Sequence, residues 1–206
     1  LFVVLLFQHT TNRTVCWSLY ALILCTFHAL EFVSTALYKS NDLSYDSFLL
    51  NHSKAYHIAM ASSVLEYFVE PFDPPKWCTA AGLLLVVAGQ SLRFVAMATA
   101  RENFAHRIMV YREKEHRLVT HGVYSVLRHP AYTGWFWWSI GTQLVLANPI
   151  CFFGYFWASW AFFHDRIPFE EHTLAAFYPD QYPDYVKRTW LAIPFIPHTT
   201  PPSPIA

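Results

Sequence analysis

The stretch 130–163, PAYTGWFWWSIGTQLVLANPICFFGYFWASWAFF, contains no charged side chain. As a single helix rising 1.5 Å per residue it would be about 50 Å long, well beyond the roughly 30 Å hydrocarbon core of a bilayer. Asn148-Pro149 stands near its middle, and the residue before a proline is pushed out of the helical region. We therefore expect two antiparallel helices, about 130–147 and 150–164, that form a hairpin. The alternative is one tilted or kinked helix.

Apolar segments also precede this hairpin. Residues 14–38 and 77–100 are each long enough to cross a membrane, and few charges interrupt them, chiefly Glu31 and Arg93. Two weaker segments follow the same pattern: 55–70, and 1–7, which looks like the end of a helix. The N-terminal half is therefore predicted to be helical and membrane-embedded.

The composition of the whole chain agrees with a membrane protein. Of 206 residues, 54% are hydrophobic and only 14% are charged, whereas a globular domain has about 25% charged residues. Fourteen basic residues balance fourteen acidic ones, which excludes a disordered chain, a coiled coil and a basic nucleic-acid-binding protein. We predict an all-α, multi-pass integral membrane protein.

The hairpin determines the expected topology. It returns the chain to the side that it left, so segments 101–129 and 164–190 face the same compartment. These segments hold nine of the fourteen Lys and Arg residues, which indicates the cytoplasmic side. We therefore expect N-terminal transmembrane helices in residues 1–100 and a catalytic region in 101–206, with the hairpin at 130–164 and a cytoplasmic helix and tail after it.

The polar residues that could do chemistry lie in 101–132 and 164–190. Arg166 and Glu170 are four residues apart and share one face of a helix. Pro168 lies between them and fits best in the first turn of a helix starting near Asp165. The ordinary alternative is a surface ion pair between Arg166 and Glu170, worth well under about 1 kcal/mol.

Several common site motifs are missing from the sequence. Neither HExxH nor clustered histidine boxes occur among its eleven histidines, so we expect no metal site. The glycine patterns GxGxxG, GxxxxGK[ST] and GxSxG are absent as well. A Rossmann domain, a P-loop and an α/β-hydrolase are therefore excluded.

Three groups of residues resemble the isoprenylcysteine carboxyl methyltransferase family. The first is HRLV at 116–119, then GVY at 122–124 and RHPAYTGW at 128–135; the second is WSIGTQ at 138–143 with NPIC at 148–151. The third runs from Arg166 through Glu170, Glu171 and Leu174 to Tyr182, Tyr185 and Pro194. The resemblance covers about 101–197 in a consistent order.

This resemblance implies an enzyme of the endoplasmic reticulum membrane with a catalytic face towards the cytoplasm. It would methylate the C-terminal carboxylate of prenylated CaaX proteins, bearing farnesyl or geranylgeranyl, with S-adenosylmethionine as cofactor and methyl donor. A cytoplasm-facing cofactor pocket would be formed by the C-terminal half. The partners would be the prenylcysteine substrate and membrane lipid, with no nucleic acid and no metal.

The resemblance also implies site residues. The cofactor-binding set would be Met109, His116, Arg117, Leu118, Val119, Tyr124, His129, Pro130, Ala131, Tyr132 and Glu170. Met109 occupies a position where family members often have Gln. Arg166 would contact the substrate. Glu171 beside Glu170 also suits the cofactor, because a carboxylate accepts hydrogen bonds from hydroxyl and amino groups but repels the acceptor carboxylate.

The proposed acceptor is an α-carboxylate, which is already ionised near neutral pH and needs no general base. It needs a group that holds it, and the planar guanidinium of arginine suits this task. Arg128 and Arg166 both border the hairpin, so both are candidate catalytic residues. For the prenyl chain, aromatic residues of the hairpin offer a wall, or alternatively an interfacial belt: Trp135, Phe136, Trp137, Trp138, Phe152, Phe153, Phe156 and Trp157.

Three other functions are compatible with parts of this pattern. A phospholipid amine methyltransferase would need a base for its ammonium acceptor and no arginine to hold a carboxylate. A sterol-type reductase would bind a nicotinamide dinucleotide. A non-catalytic membrane scaffold would leave Arg128, Arg166, Glu170 and Glu171 without a role.

Overall fold

The computed structural model describes residues 12–51, 53–112 and 116–196. Within these ranges the regular structure is helical. The helices are α1 Asn12–Tyr38, α2 Lys54–Val69, α3 Lys76–Ala100, α4 Pro130–Leu146, α5 Pro149–Phe177 and α6 Tyr182–Arg188. The all-α prediction is confirmed for these residues. The helix end expected at 1–7 and the tail after 196 lie outside the described residues, and the division of the chain at residue 100 stays a prediction.

Prolines and hydroxyl groups define where these helices begin. Pro130 and Pro149 each occupy the first turn of a helix, α4 and α5, where their missing N–H has no partner to lose. The hydroxyl of Ser53 accepts a hydrogen bond of 3.1 Å from the Tyr56 N–H and caps α2. Within the described part of the chain, two helices are long and apolar enough to cross a membrane, namely Asn12–Tyr38 and the stretch Lys76–Asn103. The weaker segment now seen as α2 does not meet that test.

Helices α4 and α5 run antiparallel. Successive contacts are Ser139 with Ser159, Trp135 with Phe163, and Tyr132 with Glu170, in opposite order along the two helices. The turn between them follows Leu146, where Ala147 has a φ of 55°.

Helix α5 is longer than expected. The prediction of a new helix starting near Asp165 is wrong, because α5 continues to Phe177 with Pro168 inside it. Phe163 and Ile167 are buried on the N-terminal side of Pro168, and Glu171 is buried on its C-terminal side. These contacts offset the roughly 3 kcal/mol that an internal proline costs.

Helices α3 and α4 approach backbone to backbone through glycines. A Cβ added to Gly89 would lie 2.5 Å from the carbonyl oxygen of Gly134, and one added to Gly82 would lie 2.5 Å from the backbone nitrogen of Val145. Small residues that let helix backbones touch are typical of packing inside membranes. The two α3 glycines in this contact are seven residues apart, and the contact brings the end of α3 beside the start of α4.

A carboxylate from α2 caps the start of α5. The two oxygens of Glu66 accept hydrogen bonds from the backbone N–H groups of Ile150 and Cys151, at 2.7 and 2.6 Å. Asn148, the residue at the N-cap position, makes no side-chain cap, so Glu66 satisfies donors that a helix start leaves free. A negative group there is also favoured by the helix dipole.

We predict that Gly89→Ala lowers thermal stability while Gly154→Ala does not. The added methyl at position 89 must displace backbone of α4, whereas position 154 lies in α5 with open space around its Cβ. Overpacking of this kind costs about 1–3 kcal/mol, and Ala is otherwise the better helix former. The check is the unfolding temperature of both detergent-purified variants. Equal stability of the two would contradict the close contact of α3 and α4.

Candidate functional site

The loop between α3 and α4 forms one side of a cavity and is fastened by the C-terminal segment. The Tyr185 hydroxyl donates to the Tyr124 carbonyl and the Tyr178 hydroxyl donates to the His116 carbonyl, both at 2.8 Å. Backbone N–H groups of Arg128 and Trp190 donate to the carbonyls of Trp190 and Val126 at 3.0 and 2.8 Å. The loop is therefore held at both ends of its turn.

The turn in this loop depends on a glycine. Gly122 has a φ of 58°, a left-handed conformation that other residues adopt only with strain. It begins a short 3₁₀ turn, Gly122–Ser125. Before the turn, the side-chain oxygen of Asn103 accepts a hydrogen bond of 2.8 Å from the Arg117 N–H. The segment 116–119 is thereby placed alongside the end of α3.

The residues predicted to bind the cofactor surround this one cavity. Its lining includes the whole predicted set together with Arg128: Met109, His116, Arg117, Leu118, Val119, Tyr124, Arg128, His129, Pro130, Ala131, Tyr132 and Glu170. Arg166 and Glu171 do not line it. Sequence reasoning missed further lining residues: Ala100, Asn103, Phe104, Ala105, Arg107, Ile108, Thr173, Leu174, Phe177 and Tyr185. We call this the cofactor cavity.

Three residues in the wall of the cofactor cavity have a buried polar atom without a hydrogen-bond partner among the described residues. These atoms are Nδ1 of His116, Nη2 of Arg128 and Nε2 of His129, and the last of them lies 3.3 Å from Glu171. A buried polar atom without a partner costs about 1–3 kcal/mol, so Nδ1 of His116 and Nη2 of Arg128 point to a polar ligand. Burial raises the pKa of Tyr124 in the same wall, which keeps its hydroxyl protonated.

Arg128 is engaged in a buried ion pair. Its Nε lies 2.5 Å from Oε1 of Glu171, the Nε2 of His129 lies 3.3 Å from the same oxygen, and the side chains of Arg128 and Glu171 are at most 3% exposed. Nη1 of Arg128 donates to the Thr189 carbonyl at 3.3 Å. The assignment of Glu171 to the cofactor is therefore not supported, because its carboxylate faces Arg128 instead of the cavity. Arg128 joins α4 to α5 and is not free to swing towards an acceptor.

The environment of Glu171 shifts its pKa. Burial by itself would raise that pKa, but the hydrogen bond and charge of His129, together with Arg128, hold it below its ordinary value. The carboxylate is therefore ionised in the folded protein. It contributes stability above the ordinary carboxyl pKa, and this stability is lost as the pH falls towards the lowered value.

Tyr132 connects Glu170 to Arg166. Its hydroxyl donates to Oε2 of Glu170 at 2.5 Å and accepts from Nε of Arg166 at 2.9 Å. Nη2 of Arg166 donates to the carbonyl of His106 at 2.6 Å. The alternative of a simple surface ion pair between Arg166 and Glu170 is wrong, because the two side chains are bridged by Tyr132 in a half-buried site.

On the other side of Tyr132 lies a second, aromatic pocket. Its wall consists of residues from helices α1 to α5 and the loops between them: Phe27, Leu49, Tyr56, Arg93, Phe104, Ala105, His106, Tyr132, Trp135, Phe162, Phe163 and Arg166. We call it the acceptor pocket. Of the eight hairpin aromatics expected to form an apolar wall, Trp135 lines it, whereas Phe136 is a core residue and Phe153 and Trp157 are exposed.

A buried charge cluster forms the floor of the acceptor pocket. Glu31 of α1 pairs with Arg93 of α3 through two contacts, at 2.5 Å to Nε and 2.9 Å to Nη2. The Nε2 of His106 lies 3.2 Å from Glu31. Neither Glu31 nor His106 was among the predicted site residues. Ionisable residues inside apolar helices are rare and mark functional sites, which is a signal that could have found Glu31; His106 lies in the loop after α3, where no such signal exists.

Comparison of the fold points to a class of enzyme. The solved structure of a eukaryotic intramembrane Ras methyltransferase superposes with a TM-score of 0.87 at 41% sequence identity, and the alignment covers 91% of this chain and 69% of that one. A profile of the isoprenylcysteine carboxyl methyltransferase family matches residues 82–176.

Individual relatives agree with that match. A protein-S-isoprenylcysteine O-methyltransferase B of Arabidopsis thaliana is 40% identical over 176 residues, which cover 82% of this chain and 88% of the relative. The enzyme of Tribolium castaneum is 43% identical over 182 residues, which cover 86% of this chain and 65% of the relative. The chain thus spans slightly less than two thirds of some animal relatives. It belongs to the isoprenylcysteine carboxyl methyltransferase family.

We predict that Glu171→Gln destabilises the protein by about 3 kcal/mol, because it leaves Arg128 buried without a counter-charge. The variant should also lose part of the stability gain that the parent protein shows as the pH rises from about 3 to 6. Unfolding temperatures measured across this pH range check both effects. The neighbour Glu170→Gln is the matched control, since Glu170 bonds Tyr132 and not Arg128. A parallel pH profile for Glu171→Gln and the parent would refute the assigned ion pair.

Proposed function

We propose that this chain methylates the C-terminal α-carboxylate of prenylated, proteolytically processed CaaX proteins. S-adenosylmethionine would be the cofactor and methyl donor. The observation that carries the proposal is the junction of the two cavities: the cofactor cavity and the acceptor pocket share Phe104, Ala105 and Tyr132. A group held in one cavity can therefore reach a group held in the other past the Tyr132 side chain.

The cofactor cavity has groups that suit both charged and neutral parts of the donor. The unpartnered Nη2 of Arg128 can donate to its carboxylate. The unpartnered Nδ1 of His116 can accept from its hydroxyl or amino groups, because Nε2 of the same ring donates to the Asn103 carbonyl at 3.4 Å. Glu170 suits its hydroxyl or amino groups, because an ionised carboxylate only accepts hydrogen bonds. When bound, the donor would supply an electrophilic methyl group on a sulfonium ion: the S–CH₃ bond would break as the carboxylate oxygen forms the methyl ester, and the donor would leave as a neutral thioether.

Arg166 is the residue that we assign to the acceptor carboxylate. It lines the acceptor pocket, and its guanidinium is fixed by Tyr132 and the His106 carbonyl. Arg128 is assigned to the cofactor side, since Glu171 already holds it. No proton has to move in this transfer, because the acceptor is ionised beforehand. What the residues contribute is position, orientation and exclusion of water.

The acceptor pocket also suits the lipid part of such a substrate. Its aromatic wall, which includes Phe27, Trp135 and Phe163, offers apolar burial worth about 0.8 kcal/mol per CH₂-sized group. A guanidinium in the same pocket favours a carboxylate acceptor over the ammonium that a phospholipid amine methyltransferase would use. The aromatic wall and the guanidinium together favour an acceptor that has both a lipid chain and a carboxylate.

We further propose how the protein lies in the membrane. Helices α1 and α3 would span it, the α4–α5 hairpin would be embedded beside them, and the cofactor cavity would face the cytoplasm. The excess of Lys and Arg in 101–129 and 164–190 supports this orientation. The family implies the endoplasmic reticulum as the membrane.

The test is transfer of labelled methyl from S-adenosylmethionine to N-acetyl-S-farnesylcysteine by the detergent-purified protein. Base-labile label on the acceptor would be the carboxyl ester. Donor binding without transfer would favour an amine acceptor. The sterol-type reductase and non-catalytic scaffold alternatives both predict no transfer and no donor binding, and protection by a nicotinamide dinucleotide would then select the reductase.

Two variants separate the roles of the bridged side chains. Glu170→Gln should raise the KM for the donor, and Arg166→Lys should lower kcat/KM for the acceptor about 10- to 100-fold, the loss expected for charge-assisted hydrogen bonds worth about 1.5–3 kcal/mol. Each variant is the control for the other. Unchanged kinetics in Arg166→Lys would remove Arg166 from the acceptor site.

A further inference from the structure

A third cavity opens beyond His106 and Arg166, at the ends of α1 and α3. It has a volume of about 920 Å³. Its wall comes from the C-terminal turns of α1, the segment 39–53, and the chain that follows α3; the residues that matter here are Ser34, Asp46, Asn51, Arg101 and Arg166. We call it the polar cavity.

The lining of the polar cavity differs from that of the acceptor pocket. Besides the rings of Tyr38, Phe104 and Phe162, it has many hydroxyl, amide and charged side chains, among them Ser34, Ser44, Asp46, Asn51 and Arg101. Ser34 is 2% exposed, and its hydroxyl has no hydrogen-bond partner in the described part of the chain. Such a wall offers hydrogen-bonding partners to a ligand that has polar groups along its length.

All three cavities meet at one place. Phe104 and Ala105 line the cofactor cavity, the acceptor pocket and the polar cavity, and Arg166 lines the last two. A ligand whose carboxylate lies at Arg166 therefore has three directions in which its substituents can extend.

The proposed substrate has a matching branch point. The Cα atom of a C-terminal prenylcysteine carries the carboxylate, the thioether-linked prenyl chain, and the amide nitrogen that continues into the protein. The carboxylate must face the cofactor cavity, and the aromatic side chains of the acceptor pocket suit contact with the prenyl chain. The peptide amide then requires a polar exit.

We infer that the polar cavity binds the peptide segment immediately upstream of the prenylcysteine. This inference rests on the proposed function and specifies its substrate further. Pockets of roughly 300–1,000 Å³ hold drug-sized ligands, which have about the bulk of three or four residues. The backbone amides of that segment supply the donors and acceptors that Ser34 and the neighbouring side chains can bind.

Charge at the rim makes the inference testable. Lys39 pairs with Asp42 at 3.5 Å, whereas none of the ion pairs among the described residues involves Asp46. Asp46 and the exposed Arg101 therefore face the cavity as independent charges. Reversal of the charge at Asp46 should change which peptides are preferred.

The experiment compares kcat/KM for farnesylated peptides with that for N-acetyl-S-farnesylcysteine, as a ratio, in the full chain. One peptide carries lysines in the three upstream positions and the other carries glutamates. In Asp46→Lys the ratio should fall about threefold or more for the lysine peptide and rise for the glutamate peptide, since an exposed charge interaction is worth up to about 1 kcal/mol. Asp73→Lys, the same charge change near the opposite end of α1 where Pro74 contacts Asn12, should leave both ratios unchanged.

A second variant tests the cavity without using charge. Asn51→Trp adds bulk to the wall and should lower the ratio for both peptides. Ratios that stay at the parent values in Asp46→Lys and Asn51→Trp, with the small acceptor still methylated, overturn this inference and leave the proposed function intact. Absence of transfer to N-acetyl-S-farnesylcysteine in the parent chain overturns the proposed function, and this inference with it.

Discussion

The contact between the backbones of α3 and α4 is the constraint on which the site depends. Gly82 and Gly89 on α3, and Gly134 on α4, leave no room for a side chain between the two helices. Because the helices touch, Arg93 of α3 reaches the start of α4, where its Nη1 lies 3.4 Å from the Ala131 carbonyl. The loop that joins the helices must then fold back over their common end, and that loop forms the cofactor cavity.

Much of this arrangement follows from local signals in the sequence. Asn148-Pro149 does end α4, since the residue before a proline is forced out of the helical region. Most residues assigned to the cofactor by resemblance come from the loop between α3 and α4 and from the start of α4. Glu170 comes from the C-terminal part of α5, and all of them surround a single cavity. Pro168 led to the wrong prediction of a helix start near Asp165. Helix α5 continues through the proline because Phe163, Ile167 and Glu171 are buried in tertiary contacts, which no local sequence pattern reveals.

The pairing of charges could not be predicted in the same way. Glu31 and Arg93 are 62 residues apart and meet only because α1 packs against α3. The sequence does not show which glutamate pairs with Arg128 either. Glu170 and Glu171 are adjacent, yet Glu170 accepts a hydrogen bond from Tyr132 and Glu171 accepts one from Arg128. One residue of offset on a helix, about 100° of rotation, decides which carboxylate faces the cavity.

The hydrogen bonds from the start of α5 to Glu66 fix the position of that end of the helix. Arg166 lies 15 residues beyond Cys151, about 23 Å along the axis, and both Arg166 and Glu170 belong to the same continuous helix. A tilt of about 5° at the cap would displace the Arg166 end by about 2 Å, given that axial length. The packing of Glu66 of α2 against the start of α5 therefore influences where Arg166 and Glu170 lie, more than three helical turns away.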